Sequence, residues 1–402
     1  MKVLIVHDYG TMHGGAELVA ARLRDGLRRR GHDARLFASD ARPLGAPNLA
    51  DYTCHGSTSP SRKVTQAVNP WAARRLRAVL DAFRPDVVHL RMFLTQLSPL
   101  VLRPLAGFPT LLHAGSYELI CPLLSKTLPN GASCRHRAGR ACYRAGCVSL
   151  LGLTRTAVQT MLRNRWWGSI GLVVANSRWT RDRLMADGVH TDEWVWNGVP
   201  VASARPPLSG PPSIAFAGRL VAKKGVDVLI RAFAAIAPTV PDVRLIIAGD
   251  GPERRALESQ IGTLGLESRI RLTGHRPRPE LDDLLAGAWV QAVPSRWEDP
   301  FPNAAAEAMM RGTALVASNW GGVTEIVRDG ETGFLVPPGD PGLLAVALKR
   351  LLVDRELAVR MGAAAREFAF AELTEDRFLD RFEAIYQRLC RPGTGGSRGE
   401  PS

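Results

Sequence analysis

The sequence predicts an α/β protein made of two doubly wound units. Three observations support this prediction. Short apolar runs of strand length alternate with amphipathic segments of helical spacing in the first half of the chain. Residues 203–212 carry too much Pro and Gly to continue a helix or a central strand. The strand–helix alternation then restarts, so each half is expected to form a parallel sheet covered by helices.

In the first half, strands are predicted at residues 3–6, 34–38, 86–90, 110–114 and 172–175. A Gly-rich turn follows the first of them and leads into a helix that Gly31 ends. In the second half, strands are predicted at residues 214–217, 243–248, 270–273, 290–293, 314–317 and 334–336. The chain from 341 to about 391 is predicted to be mostly helical.

These elements predict five segments. Residues 1–202 form an acceptor-side domain, 203–212 a linker, and 213–370 a nucleotide-sugar-binding domain. Residues 371–390 form a C-terminal helix that packs back on the first domain, and 391–402 form a disordered tail. Ligands of such proteins bind in a cleft at the carboxyl ends of the strands, which is where we expect this site.

Composition narrows the class of protein. The chain has 402 residues, of which 46% are hydrophobic and 22% charged, as in globular proteins of two or three domains. Lys and Arg total 52 against 38 Asp and Glu, a net charge of +14. This excess favours an anionic partner such as a nucleotide, a nucleic acid or an acidic membrane surface. A solvated basic face is the alternative interpretation.

Membrane attachment is predicted to be peripheral if it occurs. The five residues at 2–6 cannot serve as the apolar core of a signal peptide, and the sequence contains no run of about 18 apolar residues that could span a bilayer. We therefore expect a cytoplasmic protein. Arg155, Arg163, Arg165, Trp166 and Trp167 combine cations with interfacial aromatics, a pattern that suits an anionic lipid surface at the inner face of the cell membrane.

Residues 217–225 provide the first candidate for ligand binding. Gly218 leaves a predicted strand, where it lets the backbone approach a ligand closely. Arg219 offers a planar fork for phosphate oxygens and Lys224 adds a point charge. Together they suit a diphosphate, although two surface cations at a strand end remain the alternative.

Residues 294–310 provide the second candidate. Pro300 and Pro302 delay the helix, and Asn303 is expected to cap a helix from residue 304 that seats a phosphate at its N-terminus. Glu307 is expected in the first turn of that helix, where its carboxylate can accept hydrogen bonds from ribose hydroxyls. Glu298 and Asp299 in the preceding loop could bind sugar hydroxyls.

Three weaker signals remain. Gly10, Gly14 and Gly15 form a turn of the kind that holds phosphates or sugars, without dinucleotide-fold spacing. His113 ends a predicted strand, and a packed histidine is as good an interpretation as a functional one. Four cysteines cluster without a C-x2-C pair, so free thiols are favoured over a metal site: Cys121, Cys134, Cys142 and Cys147.

Taken in order, the motifs resemble those of the retaining glycosyltransferases of family 4, which have the two-Rossmann GT-B fold. The resemblance covers nearly the whole chain. The matching stretches are residues 14–17, His113 with 117–122, 196–199, 218–225, 249–252, 298–309 and 321–336. The resemblance implies an enzyme that needs neither metal nor cofactor and uses a nucleotide-diphosphate sugar as co-substrate, its base unknown.

The resemblance also implies roles for individual residues. Arg219 and Lys224 would hold the donor diphosphate, Glu307 the ribose, and His113 would lie near the reacting sugar. The remaining donor-binding residues would be Gly14, Gly15, Gly218, His275, Arg276, Glu298, Asp299, Phe301, Pro302 and Asn303. The family's acid pair is usually two Glu eight positions apart, and here that spacing selects Asp299 and Glu307. Whether Glu298 or Asp299 is the first acid stays open.

The sequence thus predicts a retaining glycosyltransferase that acts on a glycan, lipid-linked or small-molecule acceptor, in the synthesis of cell-surface polysaccharide or glycoconjugates. Arg219, Lys224, His113 and Asp299 are the expected catalytic residues. Two alternatives are a sugar-nucleotide epimerase on the same fold and a basic nucleic-acid-binding protein. The second is disfavoured because no nucleic-acid module is recognisable and aromatic residues make up only 6% of the chain.

Overall fold

The computed structural model describes residues 1–11, 14–42, 47–59 and 62–391, which divide into two compact units. Unit 1 contains Met1–Pro129, Cys134–Gly198 and the described residues from Glu375 onward. Unit 2 contains Asn130–Ser133 and Val199–Thr374. Residues 203–212 belong to unit 2 and contain no helix or strand. The predicted tail beyond Arg391 lies outside the described residues.

The described part of unit 1 contains a seven-stranded sheet. Its strands are β1 (Lys2–Tyr9), β2 (Asp33–Ser39), β3 (Tyr52–Cys54), β4 (Val87–Leu90), β5 (Thr110–Ala114), β6 (Leu172–Ala175) and β7 (Glu193–Trp194). Their order is β3-β2-β1-β4-β5-β6-β7, and all neighbours are parallel. The strand order reverses direction between β1 and β4, as in a Rossmann fold. The sequence did not predict β3 and β7, because three and two residues are too few to show a periodic pattern.

Helices connect these strands. They are α1 (Gly15–Arg29), α2 (Arg62–Ala67), α3 (Pro70–Phe83), α4 (Arg140–Arg144), α5 (Leu150–Arg165) and α6 (Arg178–Ala186). Local chemistry defines their starts. For example, the Asn69 side chain accepts a hydrogen bond from the Ala72 amide, and Pro70 occupies the first helical position, where its missing N–H costs nothing.

The sheet of unit 2 has six strands within the described residues. They are β8 (Ser213–Ala217), β9 (Arg244–Ala248), β10 (Ile270–Gly274), β11 (Val290–Val293), β12 (Ala314–Ser318) and β13 (Gly333–Val336). Their order is β10-β9-β8-β11-β12-β13, and all neighbours are parallel. All six strands were predicted from their apolar runs. The direction of the strand order reverses between β8 and β11.

The remaining helices follow in chain order. They are α7 (Val226–Ile236), α8 (Arg254–Thr263), α9 (Arg278–Ala286), α10 (Asn303–Arg311), α11 (Pro341–Val353), α12 (Arg355–Glu372) and α13 (Glu375–Cys390). Among the residues described, no helix is both long enough and apolar enough to cross a bilayer.

The last helix, α13, belongs to unit 1 although the preceding 176 residues belong to unit 2. Its apolar face completes the core beneath β1, β4 and β5. The buried residues on that face are Phe378, Leu379, Phe382, Ile385 and Tyr386. At about 1.5–3 kcal/mol for each large side chain removed from water, this face is a major part of the stability of unit 1.

Candidate functional site

The loops after the strands of unit 2 are locked together by close backbone contacts. Gly225 follows β8 with φ of +69°, and a Cβ there would lie 2.0 Å from the carbonyl oxygen of Pro294 after β11. A Cβ on Gly249, after β9, would lie 1.9 Å from the Gly218 carbonyl oxygen. The Gly249 amide donates a 2.9 Å hydrogen bond to the carbonyl of Gly274. Only glycine allows these contacts, which hold the loops at one edge of the sheet.

Arg219 and Lys224 lie on the loop after β8. Arg219 is exposed, and its side chain has no hydrogen bond or ion pair to any described residue. Lys224 is a quarter exposed and forms an ion pair with the Asp299 carboxylate. The neighbouring Lys223 places its amino group 3.8 Å from the centre of the Trp297 ring. Among the described residues, the loop after β8 therefore carries an exposed guanidinium without a side-chain partner at Arg219 and a paired ammonium at Lys224.

The two candidate first acids, Glu298 and Asp299, have different partners. Glu298 accepts a hydrogen bond from the Ser133 hydroxyl, whereas Asp299 pairs with Lys224. Both side chains are almost fully buried. Gly321 fixes their shared peptide, because a Cβ there would lie 2.6 Å from the Asp299 amide nitrogen, and the Asp299 carbonyl accepts from the Gly322 amide. Ser133 was not predicted, because it lies 165 positions from Glu298 in the sequence.

Helix α10 differs from the prediction at its start. It begins at Asn303 with Pro302 as the capping residue, and no side chain caps it. Pro302 has an extended backbone, so helical geometry starts one residue earlier than expected. Glu307 is therefore the fifth helical residue and lies beyond the first turn, so the predicted first-turn position is wrong. Phe301 and Pro302 are buried behind this helix start.

Glu307 forms an ion pair with Arg278, the first residue of α9, which the sequence analysis missed. Arg278 also bonds Asp282 at 2.6 Å, and Asp282 accepts from Arg311 at 3.0 Å. Partial burial lowers the pKa of the Arg278 guanidinium, but the neighbouring Glu307 and Asp282 carboxylates together outweigh it, so the pKa is raised. Glu307 is thus held in place by a network anchored in α9. His275 and Arg276, just before this helix, are exposed.

The predicted residues of unit 1 lie at the carboxyl ends of β1 and β5. Gly14 and Gly15 form the start of α1, with Gly14 as the capping residue, while Met12 and His13 fall outside the described residues. Glu17 in the first turn approaches His7, with 3.8 Å between Oε1 and Nε2. His113 is the fourth residue of β5 and is completely buried.

His113 belongs to a buried polar group that the sequence analysis did not identify. Its Nδ1 lies 2.8 Å from Nη1 of Arg91 and 3.2 Å from Nε2 of His89. His89 in turn contacts the Tyr386 hydroxyl on α13 at 2.7 Å. Burial, followed by the charge of Arg91, lowers the pKa of both histidines well below the usual value. Both imidazoles are therefore neutral at pH 7.

A carboxyl group is buried near this group. Burial raises the pKa of Glu118 well above its usual value, with a further contribution from Asp8. Arg163 on α5 lies close enough to act in the opposite direction. The family resemblance had drawn attention to residues 117–122, but not to a buried carboxyl group with a raised pKa in that segment. A buried, neutral glutamic acid can donate a hydrogen bond.

The cysteine cluster does not form a metal centre in the part of the chain described. No group of three or more His, Cys, Asp or Glu side chains there has a geometry that could hold a metal ion. Cys121, Cys134, Cys142 and Cys147 form no disulfide bond. The Cys121 sulfur instead accepts a 3.4 Å hydrogen bond from the Lys126 amide.

The three arginines that were predicted to face lipid differ in their exposure and in their partners. Arg163 donates to the Leu119 carbonyl and lies over the Trp167 ring at 5.6 Å, and Arg155 bonds Gln66 at 2.6 Å. Of these three arginines, only Arg165 is exposed. Leu150, Leu151 and Met161 on the same helix are each 62% exposed.

Each unit contains a parallel sheet of the Rossmann type, and the second sheet carries cations and carboxylates at its carboxyl edge. These features are typical of two-domain α/β proteins that bind ligands at that edge. Residues 203–368 match the family model described as Glycosyl transferases group 1, and residues 13–203 match that of Glycosyltransferase Family 4. The two matches are consecutive and cover most of the chain. The protein therefore belongs to the family 4 glycosyltransferases, and the resemblance predicted from its motifs is confirmed.

Curated relatives agree with this assignment. The alpha-D-kanosaminyltransferase of Streptomyces kanamyceticus is 34% identical over 182 residues, which are 45% of this chain and 47% of the relative. A glycogen synthase of Mycobacterium tuberculosis is 38% identical over 188 residues, 46% of this chain and 45% of the relative. These matches thus span about half the length of the relatives. An alpha-maltose-1-phosphate synthase of Mycolicibacterium smegmatis is 26% identical and matches over 94% of this chain and 96% of its own.

Solved structures confirm the GT-B fold. The sucrose-phosphate synthase of Thermosynechococcus elongatus superposes with a TM-score of 0.75 at 22% identity, covering 96% of this chain and 98% of the other. Anabaena HepE, solved in complex with UDP and glucose, gives a TM-score of 0.71 at 21% identity, covering 96% of this chain and all of its own.

Proposed function

We propose that this protein transfers a sugar from a nucleoside-diphosphate donor to an acceptor hydroxyl, with retention of configuration at the anomeric carbon. The observation that carries the proposal is the exposed guanidinium of Arg219, which has no side-chain partner among the described residues and lies on the same loop after β8 as Lys224. These groups concentrate positive charge where the diphosphate of a donor would lie. Membership of the glycosyltransferase family supports this assignment.

In the proposed reaction, the bond between the anomeric carbon and the diphosphate oxygen breaks. The acceptor oxygen forms the new bond on the same face of the sugar, and its proton passes to the departing phosphate. Arg219, Lys224 and the first amides of α10 would stabilise the growing negative charge of that phosphate. Such charge stabilisation typically contributes about 10²- to 10³-fold in rate for each donor group. These cations can act without a metal ion.

The carboxylates are assigned to the uncharged parts of the donor. Glu307 would accept hydrogen bonds from the ribose hydroxyls, with Arg278 fixing its orientation. Glu298 would bind the sugar, because Asp299 is already held by the diphosphate-binding Lys224. His113 would contact a hydroxyl of the transferred sugar. Gly14, Gly15, His275 and Arg276 remain proposed donor contacts.

The proposed acceptor is a glycan, a lipid-linked sugar or a small molecule, used for cell-surface polysaccharide or glycoconjugate synthesis. A lipid-linked acceptor would place the protein at the inner face of the cell membrane. The exposed face of α5 supports this part of the proposal. At 100° per residue, Leu150, Met161 and Arg165 lie within about 60° of one another around the helix. An exposed apolar strip ending in a cation suits an anionic lipid surface.

A donor screen tests the proposal. UDP-sugars come first, because Anabaena HepE has been solved with UDP and with UDP-glucose. A matching donor at about 100 times its Kd should stabilise the folded protein by about 2.7 kcal/mol, seen as a rise in melting temperature. The wild type should respond, and Glu307→Gln should need a higher donor concentration for the same rise. Incubation of the responding donor with and without acceptors then separates transfer from epimerisation. If no nucleoside-diphosphate sugar stabilises the wild type, the proposal is rejected.

A further inference from the structure

Four buried polar side chains of unit 1 form a continuous chain of contacts. Tyr386 Oη lies 2.7 Å from His89 Nδ1, His89 Nε2 lies 3.2 Å from His113 Nδ1, and Arg91 Nη1 lies 2.8 Å from the same His113 nitrogen. All four side chains are at most 2% exposed. The Phe382 ring packs 4.8 Å from both imidazoles and offers no competing hydrogen bond.

Arg91 determines which atoms donate and which accept in this series of hydrogen bonds. A guanidinium has only donors, so the Arg91 N–H must point at His113 Nδ1 and that nitrogen must accept. A neutral imidazole that accepts at Nδ1 carries its proton on Nε2. Burial and the charge of Arg91 both lower the pKa of His113, which supports the neutral form. Arg91 therefore selects the Nε2–H tautomer of His113.

The hydrogen-bond direction set by Arg91 extends through His89 to α13. Because His113 Nδ1 is an acceptor, His89 Nε2 must donate toward it, since two facing lone pairs would repel. His89 Nδ1 is then the acceptor and the Tyr386 hydroxyl is its donor. The remaining polar atom, His113 Nε2, has no hydrogen-bond partner among the described residues. It carries a proton with nothing in the described chain to receive it.

We infer that Tyr386 and Arg91, acting from the two ends of this chain, hold His113 as a neutral imidazole that presents its Nε2–H as a hydrogen-bond donor. Tyr386 acts through His89 and is a positioning residue. The consequence for catalysis rests on the proposed function. His113 then donates to a sugar oxygen, and it is not the base that takes the acceptor's proton, because its only free nitrogen is already protonated.

The tautomers can be measured without substrate. Full-length protein labelled with ¹⁵N-histidine gives long-range ¹H–¹⁵N correlations in which protonated and unprotonated ring nitrogens differ clearly in shift. His89→Gln and His113→Gln assign the two spin systems. We expect an unprotonated Nδ1 and a protonated Nε2 for both rings. A protonated Nδ1 on His113, or protons on both of its nitrogens, would overturn the inference.

Tyr386→Phe tests the role of α13. Removing the hydroxyl leaves His89 Nδ1 without its donor, so the His89 nitrogens should move toward intermediate, tautomer-averaged shifts. The kcat should fall about fivefold, the usual value of one neutral hydrogen bond, with the donor KM unchanged. The control is Ile385→Val, which removes a methyl group from the same buried face but no polar group. It should change neither the His89 shifts nor kcat.

The outcomes separate this inference from the proposed function. If Tyr386→Phe leaves the His89 spectrum unchanged, or if Ile385→Val alters it equally, Tyr386 does not set the tautomer. If the spectra behave as expected but His113→Ala keeps the wild-type kcat, the tautomer control stands and the proposed contact of His113 with the sugar fails.

Discussion

Arg219 and Lys224 lie five positions apart, and they differ in their surroundings. Arg219 is exposed, whereas Lys224 already neutralises the buried Asp299. Arg219→Ala should therefore lower kcat about 10²-fold with little loss of stability, because its contacts strengthen as the phosphate gains charge. Lys224→Ala should lower kcat and also destabilise the fold, since it leaves a buried carboxylate unpaired. Steady-state kinetics and urea unfolding measure the two effects.

Lys223→Ala is the matched control for both variants, because this neighbouring cation lies over the Trp297 ring. Its kcat should stay close to that of the wild type. Equal losses of kcat in all three variants would show that general charge, and no specific diphosphate contact, is responsible.

Glu307 should behave differently from the cations. The ribose hydroxyls change little during the reaction, so Glu307→Gln should raise the donor KM by about 10- to 150-fold, equivalent to about 1.5–3 kcal/mol, with a milder effect on kcat. Arg278→Gln should give a smaller increase in KM, because it removes only the residue that orients Glu307. A large fall in kcat with unchanged KM for Glu307→Gln would place this carboxylate at the reacting centre.

Site residues that lie in local motifs could be predicted from the sequence, whereas those that contact distant partners could not. Arg219, Lys224, Asp299 and Glu307 were chosen because motifs keep fixed spacing, and the structure places them near one edge of unit 2. Ser133, Arg278 and Tyr386 were not chosen, because each meets its partner across a large gap in sequence. For Tyr386 and His89 that gap is 297 positions. No local pattern predicts which distant residue will supply such a contact.

At the scale of elements, the loop after β8 depends on the close approach of Gly225 to the Pro294 carbonyl group. The effect of this contact can be measured separately from backbone strain. Gly225 and Gly265 have nearly the same φ, +69° and +65°, but no atom lies within 4 Å of the position of a Cβ on Gly265. Gly265→Ala should cost about 1 kcal/mol for the left-handed conformation alone. Gly225→Ala should cost at least about 3 kcal/mol and weaken donor binding, because the loop must move away from Pro294. Urea midpoints and donor titrations measure both, and equal losses would contradict the argument.

The exposed face of α5 predicts binding to membranes. Arg165→Gln should weaken binding to anionic vesicles about fivefold, about 1 kcal/mol for one cation near the surface, and Leu151→Glu should weaken it further. Leu264→Glu changes an exposed leucine in unit 2 and is the control. Vesicle sedimentation at low and high salt provides the measurement. Equal binding of the wild type to neutral and anionic vesicles, or to neither, would remove this surface from the proposal.

Most elements were predictable because strands buried in a parallel sheet are continuous apolar runs. The start of α10 was predicted one residue too late, because the sequence favoured Asn303 as the capping residue and the extended backbone of Pro302 is seen only in the folded chain. The strand β7 has only two residues, and it exists because β6 offers a free edge for it. An element that forms only because a neighbouring strand offers hydrogen bonds has little periodic pattern in its own sequence.

At the scale of the whole molecule, the buried histidines predict how stability depends on pH. The pKa values of His89 and His113 are lower in the folded chain than the usual value of about 6.5 in the unfolded chain. Their contribution to stability is therefore complete above about pH 6.5 and is lost as the pH falls from there toward the folded values. Two protons bound only by the unfolded chain correspond to at most about 2.7 kcal/mol per pH unit.

Glu118 acts in the opposite direction, because burial raises its pKa and its contribution to stability is lost as the pH rises. Glu118→Gln should therefore steepen the loss of stability between pH 7.5 and 5.5, and His113→Gln should make it shallower. Urea unfolding across this range measures both slopes. Identical slopes for the wild type and the two variants would mean that these groups do not keep their shifted pKa values.

The return of α13 to unit 1 also affects the order in which the chain can fold during its synthesis. All of the sequence of unit 2 has been made once Thr374 is added, whereas the core of unit 1 still lacks its last helix. The half of the protein that is translated first therefore completes its fold last. Until α13 has been made, the apolar face that it covers is open to solvent. A chain released from the ribosome after Thr374 but before α13 is complete would have one finished unit and one exposed core.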